Sequence, residues 1–118
     1  MMRLTFDWDN RGLEDIIVQD GLAKLSQDFP QYDVYYRLSA SSFGIHAMIS
    51  YQDVLPPRPV EMDDPQVLDY RRVMVDFGLE DEWRLWGDVT RLKTGLPTAQ
   101  LWEWKDGEKA GEWIKYVE

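Results

Sequence analysis

Asp7 and Asp9 stand two residues apart in Arg3-Leu4-Thr5-Phe6-Asp7-Trp8-Asp9, where apolar and polar residues alternate. Alternation with period two marks a half-buried strand, so Leu4, Phe6 and Trp8 face a core and Thr5, Asp7 and Asp9 face away from it. Side chains at i and i+2 of a strand lie ~7 Å apart, close enough to share one divalent cation or a pair of them. The chain has no Cys and one His. Oxygen ligands without thiolates or paired imidazoles suit Mg²⁺ or Mn²⁺ rather than zinc. Ions held this way can activate a hydroxyl nucleophile and stabilise a leaving phosphate oxygen. Arg37, Arg72 and His46 are of the types that hold a triphosphate. The run Ser41-Ser42-Phe43-Gly44 precedes His46, and a glycine there lets a phosphate approach the backbone. Taken alone, Asp-x-Asp is also what two solvated residues at a strand end look like.

The elements that must position these groups follow from periodicity. Residues 13–27 place Leu13, Ile16, Ile17, Leu22 and Leu25 near helical spacing, and Phe29-Pro30 ends that helix. Residues 33–39 and 45–51 alternate and read as a hairpin around 40–44. Residues 52–65 carry four prolines and read as a long surface loop. The spacing of Val73, Val75 and Phe77 predicts a strand over 70–78. Residues 80–94 read as a helix with Trp83, Trp86 and Val89 on its core face, stopped by Gly95 and Pro97. Residues 99–104 and 111–117 read as two strands around Lys105-Asp106-Gly107. The order β-α-β-β-β-α-β-β predicts a single α+β domain over 1–118: a mostly antiparallel sheet with two helices on one face. Strand alternation then puts Asp7, Asp9, Arg37, Ser39, His46, Arg72 and Asp76 together on the opposite, open face.

Composition narrows the partners. The 118 residues include 13 Lys and Arg against 22 Asp and Glu, a formal net charge of -9. That surplus disfavours broad docking on phosphates of duplex nucleic acid. Hydrophobic residues make up 44%, enough for a packed core and too many for a disordered chain. No apolar run approaches the ~20 residues of a spanning helix, and the N-terminus lacks a secretory pattern. The expectation is a cytoplasmic protein without a membrane partner.

Three short motifs resemble those of the archaeo-eukaryotic primase superfamily, the primase-polymerases. They are Asp7-Trp8-Asp9 on the first strand, Ser42-Phe43-Gly44-Ile45-His46 at the hairpin, and Val75-Asp76 further on. Their order and separations are similar to those of compact plasmid and viral members. The resemblance implies an RRM-like sheet and a metal-dependent nucleotidyltransferase, with Mg²⁺ or Mn²⁺ on Asp7, Asp9 and Asp76 as the catalytic carboxylates. It further implies nucleotide contacts from His46, Arg37, Ser42, Gly44 and Arg72. Expected partners are a nucleoside triphosphate, single-stranded nucleic acid, and a protein that supplies template binding. Asp88, in Gly87-Asp88-Val89-Thr90-Arg91-Leu92, is the rival third carboxylate; the face argument prefers Asp76. The alternative to an enzyme is a non-catalytic acidic accessory protein, viral or plasmid-borne, that binds a replication or host partner.

Overall fold

The computed structural model describes residues 1–40, 44–95, 101, 103–105 and 107–118. Its main sheet has four antiparallel strands in the order β2-β4-β3-β8, with β2 Thr5–Asp9, β3 Asp33–Leu38, β4 Gly44–Ser50 and β8 Ile114–Lys115. The central strand β4 is buried along its whole length. Two smaller pairings flank it: β1 Met2–Arg3 with β5 Glu61–Met62, and β6 Trp104–Lys105 with β7 Glu108–Lys109. Among the described residues three helices complete an α+β fold: α1 Ile16–Asp28, α2 Asp64–Phe77 and α3 Glu82–Thr94.

The core forms where the predicted strand alternation says it should. Leu4, Phe6, Trp8, Ile45, Ala47 and Ile49 are completely buried in one hydrophobic cluster. Against them α1 packs Val18, Leu22 and Leu25, spaced at i, i+4 and i+7. The helix begins later than residue 13 because Asp15 caps it, its carboxylate accepting from the Ile17 amide at 2.9 Å. Gly21 packs closely: a Cβ there would displace the Leu79 Cδ1 methyl and press on the Trp8 ring at 3.3 Å.

Residues 70–78 are not a strand. They belong to α2, which has Pro65 in its first turn and ends at Gly78, whose φ of 92° suits a left-handed cap. The stripe that α2 turns inward is Val67, Arg71 and Met74. An arginine in the middle of a core-facing stripe hides the helical period from a reading based on apolar residues. The proline-rich stretch 52–65 is likewise not all loop. It contains β5 and the start of α2, and its Val60 amide donates to the Ile49 carbonyl at 2.9 Å.

On α3 the predicted face is also corrected. Leu85 and Asp88 point inward, while Trp83 and Trp86 are 82% and 54% exposed. Gly107 stands at φ 81°, and the short strands β6 and β7 pair antiparallel, but in a sheet of their own; Asp106 lies outside the described residues. The C-terminal segment joins the main sheet as a strand at β8, and its Gly111 amide donates to the Leu38 carbonyl of β3 at 2.9 Å. Of the expected strand 99–104, residues 99, 100 and 102 lie outside the described residues, and Trp104 belongs to β6. Among the described residues no helix is long and apolar enough to cross a membrane.

Candidate functional site

Strand register assembles the first part of the site. Asp7 pairs with His46 across β2 and β4, and His46 pairs with Arg37 across β4 and β3. Three candidate side chains from three strands therefore form one row on one face of the sheet. Asp9 lies one step along β2, opposite Gly44. Arg37 Nε donates to His46 Nδ1 at 3.0 Å. That bond places the imidazole proton on Nε2, which faces Asp7 Oδ1 at 3.8 Å. Burial, then the positive charges of Arg37 and Arg84, push the imidazole pKa down to about 4, so His46 is neutral near pH 7.

This face is covered rather than open. His46 is 2% exposed and Arg37 8% exposed. Trp113 lies over the Arg37 guanidinium, with Cζ 4.3 Å from the ring centroid. On the other flank Arg84 of α3 reaches Asp7 Oδ2 at 3.5 Å. Asp7 Oδ1 is buried and receives no hydrogen bond from the described residues.

A second polar group lies beyond Asp7, along the free edge of β2. Arg71 of α2 is almost fully buried and donates through Nη1 to the Thr5 carbonyl at 2.7 Å. Its Nε stands 2.9 Å from Asp88 Oδ2, and its Nη1 3.8 Å from Glu80 Oε1. Arg84 Nε is 3.9 Å from Glu80 Oε2, and Arg91 Nη1 is 3.5 Å from Asp88 Oδ1. The Asp7 amide faces the Glu80 carboxylate and favours its charged form. Burial outweighs these influences and pushes the Glu80 carboxyl up to about 7. Thr5 carbonyl and Asp7 amide are outward-facing groups of an edge strand. Arg71 and Glu80 thus cover an edge that would otherwise pair with another chain. Three carboxylates (Asp7, Glu80, Asp88) and three guanidiniums (Arg71, Arg84, Arg91) alternate through this network.

The predicted site residues therefore separate. Asp7, Asp9, His46, Arg37 and Gly44 come together on the sheet. Asp76 and Arg72 do not: both are on α2, where Asp76 is exposed and Arg72 pairs with Glu82 at 3.6 Å. The reason is the helical course of 70–78, which removes them from the sheet. Asp88, the rival acid, is fully buried and linked to Asp7 through Arg71, Glu80 and Arg84. Gly44 is required by close backbone approach, since a Cβ there would stand 2.9 Å from the Trp8 carbonyl oxygen. Ser42 lies outside the described residues. Among the described residues no three His, Asp or Glu side chains gather in an arrangement that could hold a metal ion. The residues missed by sequence reasoning are Arg71, Glu80 and Arg84. Their signal was a charged residue at each inward position of a helical or turn segment, visible only once the helices are placed.

Comparison with protein-family models, with curated proteins and with solved structures finds no match to this chain.

Proposed function

We propose that the chain binds a nucleoside triphosphate at the end of the sheet marked by Asp7, Asp9 and His46, and acts as a minimal primase-polymerase-like nucleotidyltransferase. The observation that supports this reading is the cross-strand row Asp7–His46–Arg37, with Asp7 Oδ1 buried and lacking a donor. Magnesium in such sites commonly takes one or two carboxylates and completes its shell with water and substrate phosphates. Asp7 and Asp9 provide two, which fits one ion of that kind; a set of three carboxylates including Asp76 does not fit. When bound, the ion would supply charge neutralisation on the phosphates and acidify an attacking hydroxyl. The chain's own contribution is positioning. Neutral His46 offers Nε2–H, held in that tautomer by Arg37, and Arg84 offers a guanidinium next to Asp7. Buried donors of this type stabilise developing phosphoryl charge without reorganisation.

The test is Mn²⁺-dependent incorporation of labelled nucleotide by the full chain. Asp7→Asn combined with Asp9→Asn should lower it by at least about a hundredfold. Unchanged incorporation in the double variant would remove this site from the reaction.

Exposed Trp83 and Trp86 favour a second reading, an acidic accessory protein that docks a basic partner without catalysis. They flank the first turns of α3 beside Asp81 and Glu82. Exposed aromatics of this size are typical anchors of protein interfaces. Calorimetric silence with nucleotide and Mn²⁺ would select this reading over the first.

A further inference from the structure

A cavity of about 530 Å³ opens on the far side of Arg37 from the acids of β2, between Pro56 and Pro57, Leu101, Glu103, Lys109 and Trp113. Its volume lies within the range of small-molecule sites. The Arg37 side chain is more than nine-tenths buried and lines this space. Its Nε is used by His46, and one of its faces is covered by Trp113. The Glu103 carboxylate on the cavity wall favours the charged guanidinium. The terminal edge of the guanidinium presents two parallel N–H donors to a planar pair of acceptors.

Charge selects among the groups that fit this edge. Arg37 and Lys109 bring two positive charges, Glu103 and Glu112 two negative ones, and Lys109 already stands 3.9 Å from Glu103. A balanced lining disfavours a polyphosphate and favours an uncharged two-acceptor edge. Guanine has that edge in O6 and N7, the pair that arginine reads most often. Its N1–H and N2–H₂ donors suit carboxylates such as those of Glu103 and Glu112. We propose that this cavity is a guanine-recognition subsite, with the Arg37 edge on O6 and N7 and Trp113 holding the guanidinium in plane. The inference rests on the nucleotide reading above and adds a base preference to it.

The experiment titrates the full chain with guanosine 5′-monophosphate, cytidine 5′-monophosphate, inorganic pyrophosphate and a guanine-containing single-stranded oligonucleotide. The guanine mononucleotide should bind about tenfold or more tightly than the cytosine one. The oligonucleotide arm separates a strand-borne guanine from a free nucleotide: tighter binding of either over the cytosine control supports the subsite and names its source. Trp113→Ala should abolish the preference. Should that variant melt early, Leu101→Trp, which fills the cavity, serves in its place and should do the same. Equal binding of both mononucleotides, pyrophosphate competing with all of them, or a preference that survives Leu101→Trp would overturn the proposal. The outcome is separable from nucleotidyl transfer. A guanine preference without Mn²⁺-dependent incorporation removes the enzyme reading alone, and incorporation without base preference removes the subsite alone.

Discussion

Two polar regions meet at Asp7 and are built by opposite means. On one side, Asp7, His46 and Arg37 sit on neighbouring strands, and hydrogen-bond register aligns them. On the other, Arg71, Glu80, Arg84 and Asp88 come from α2, the α2–α3 turn and α3, and only packing brings them to the edge of β2. The row holds a neutral imidazole between one carboxylate and one guanidinium. The network holds several full charges in a dry setting, where a missing partner is costly. The comparison teaches that one aspartate is shared by a legible sheet motif and by a helix-borne clamp, and that the clamp sets much of its electrostatic environment.

The largest effect should come from breaking the clamp. Arg71→Ala leaves Glu80 and Asp88 buried without their common partner and exposes the Thr5 carbonyl, at an expected cost of about 3–5 kcal/mol. Chemical denaturation would measure it. A loss below ~1 kcal/mol would mean that the network is solvated or rearranges freely.

An intermediate effect should appear in the pH dependence, where the two regions act with opposite sign. His46 titrates near 4 in the folded protein against 6.5 ordinarily. Its contribution is therefore complete above pH 6.5 and is lost as pH falls from 6.5 to 4. Glu80 is raised to about 7 from 4.5, so its contribution is complete below pH 4.5 and is lost as pH rises from 4.5 to 7. Between pH 4.5 and 6.5 the two oppose each other. His46→Gln should leave stability that falls with rising pH across that window, and Glu80→Gln should leave stability that rises. Each slope should integrate to a few kcal/mol. Melting curves at half-unit intervals of pH would show it; parallel profiles in the two variants would contradict the burial of one or both groups.

The smallest effect should follow from the residues that the helical course of 70–78 carries away from the sheet. Asp76→Asn and Arg72→Gln should each change stability by less than about 0.5 kcal/mol, because Asp76 is exposed and the half-buried Arg72 makes only a surface pair with Glu82. In the incorporation assay neither should approach the loss from Asp7→Asn with Asp9→Asn. A large loss from Asp76→Asn would return that residue to the site.

Period-two patterning was enough to place the Asp7 and Asp9 strand, the hairpin carrying Arg37 and His46, and the apolar face formed by Leu4, Phe6, Trp8, Ile45 and Ile49. Those features are local: alternate side chains of a strand must take opposite faces, and a short hairpin sets register. The Gly95 stop of α3 was legible in the same way, since its amide bonds the carbonyls of its own chain neighbours Arg91 and Leu92.

The helix α2, by contrast, was masked by Arg71 at its inward position, and the inward face of α3, though not the helix itself, by its exposed tryptophans. Whether an arginine may be buried depends on carboxylates far away in sequence, here Glu80 and Asp88, and no local pattern announces them. The covering of the His46 face by Trp113 and the approach of Arg84 to Asp7 have the same origin. Local alternation thus chose which side chains share the sheet face. Long-range packing chose which charges reach it, because burial free energy belongs to the completed set of partners and not to any segment alone.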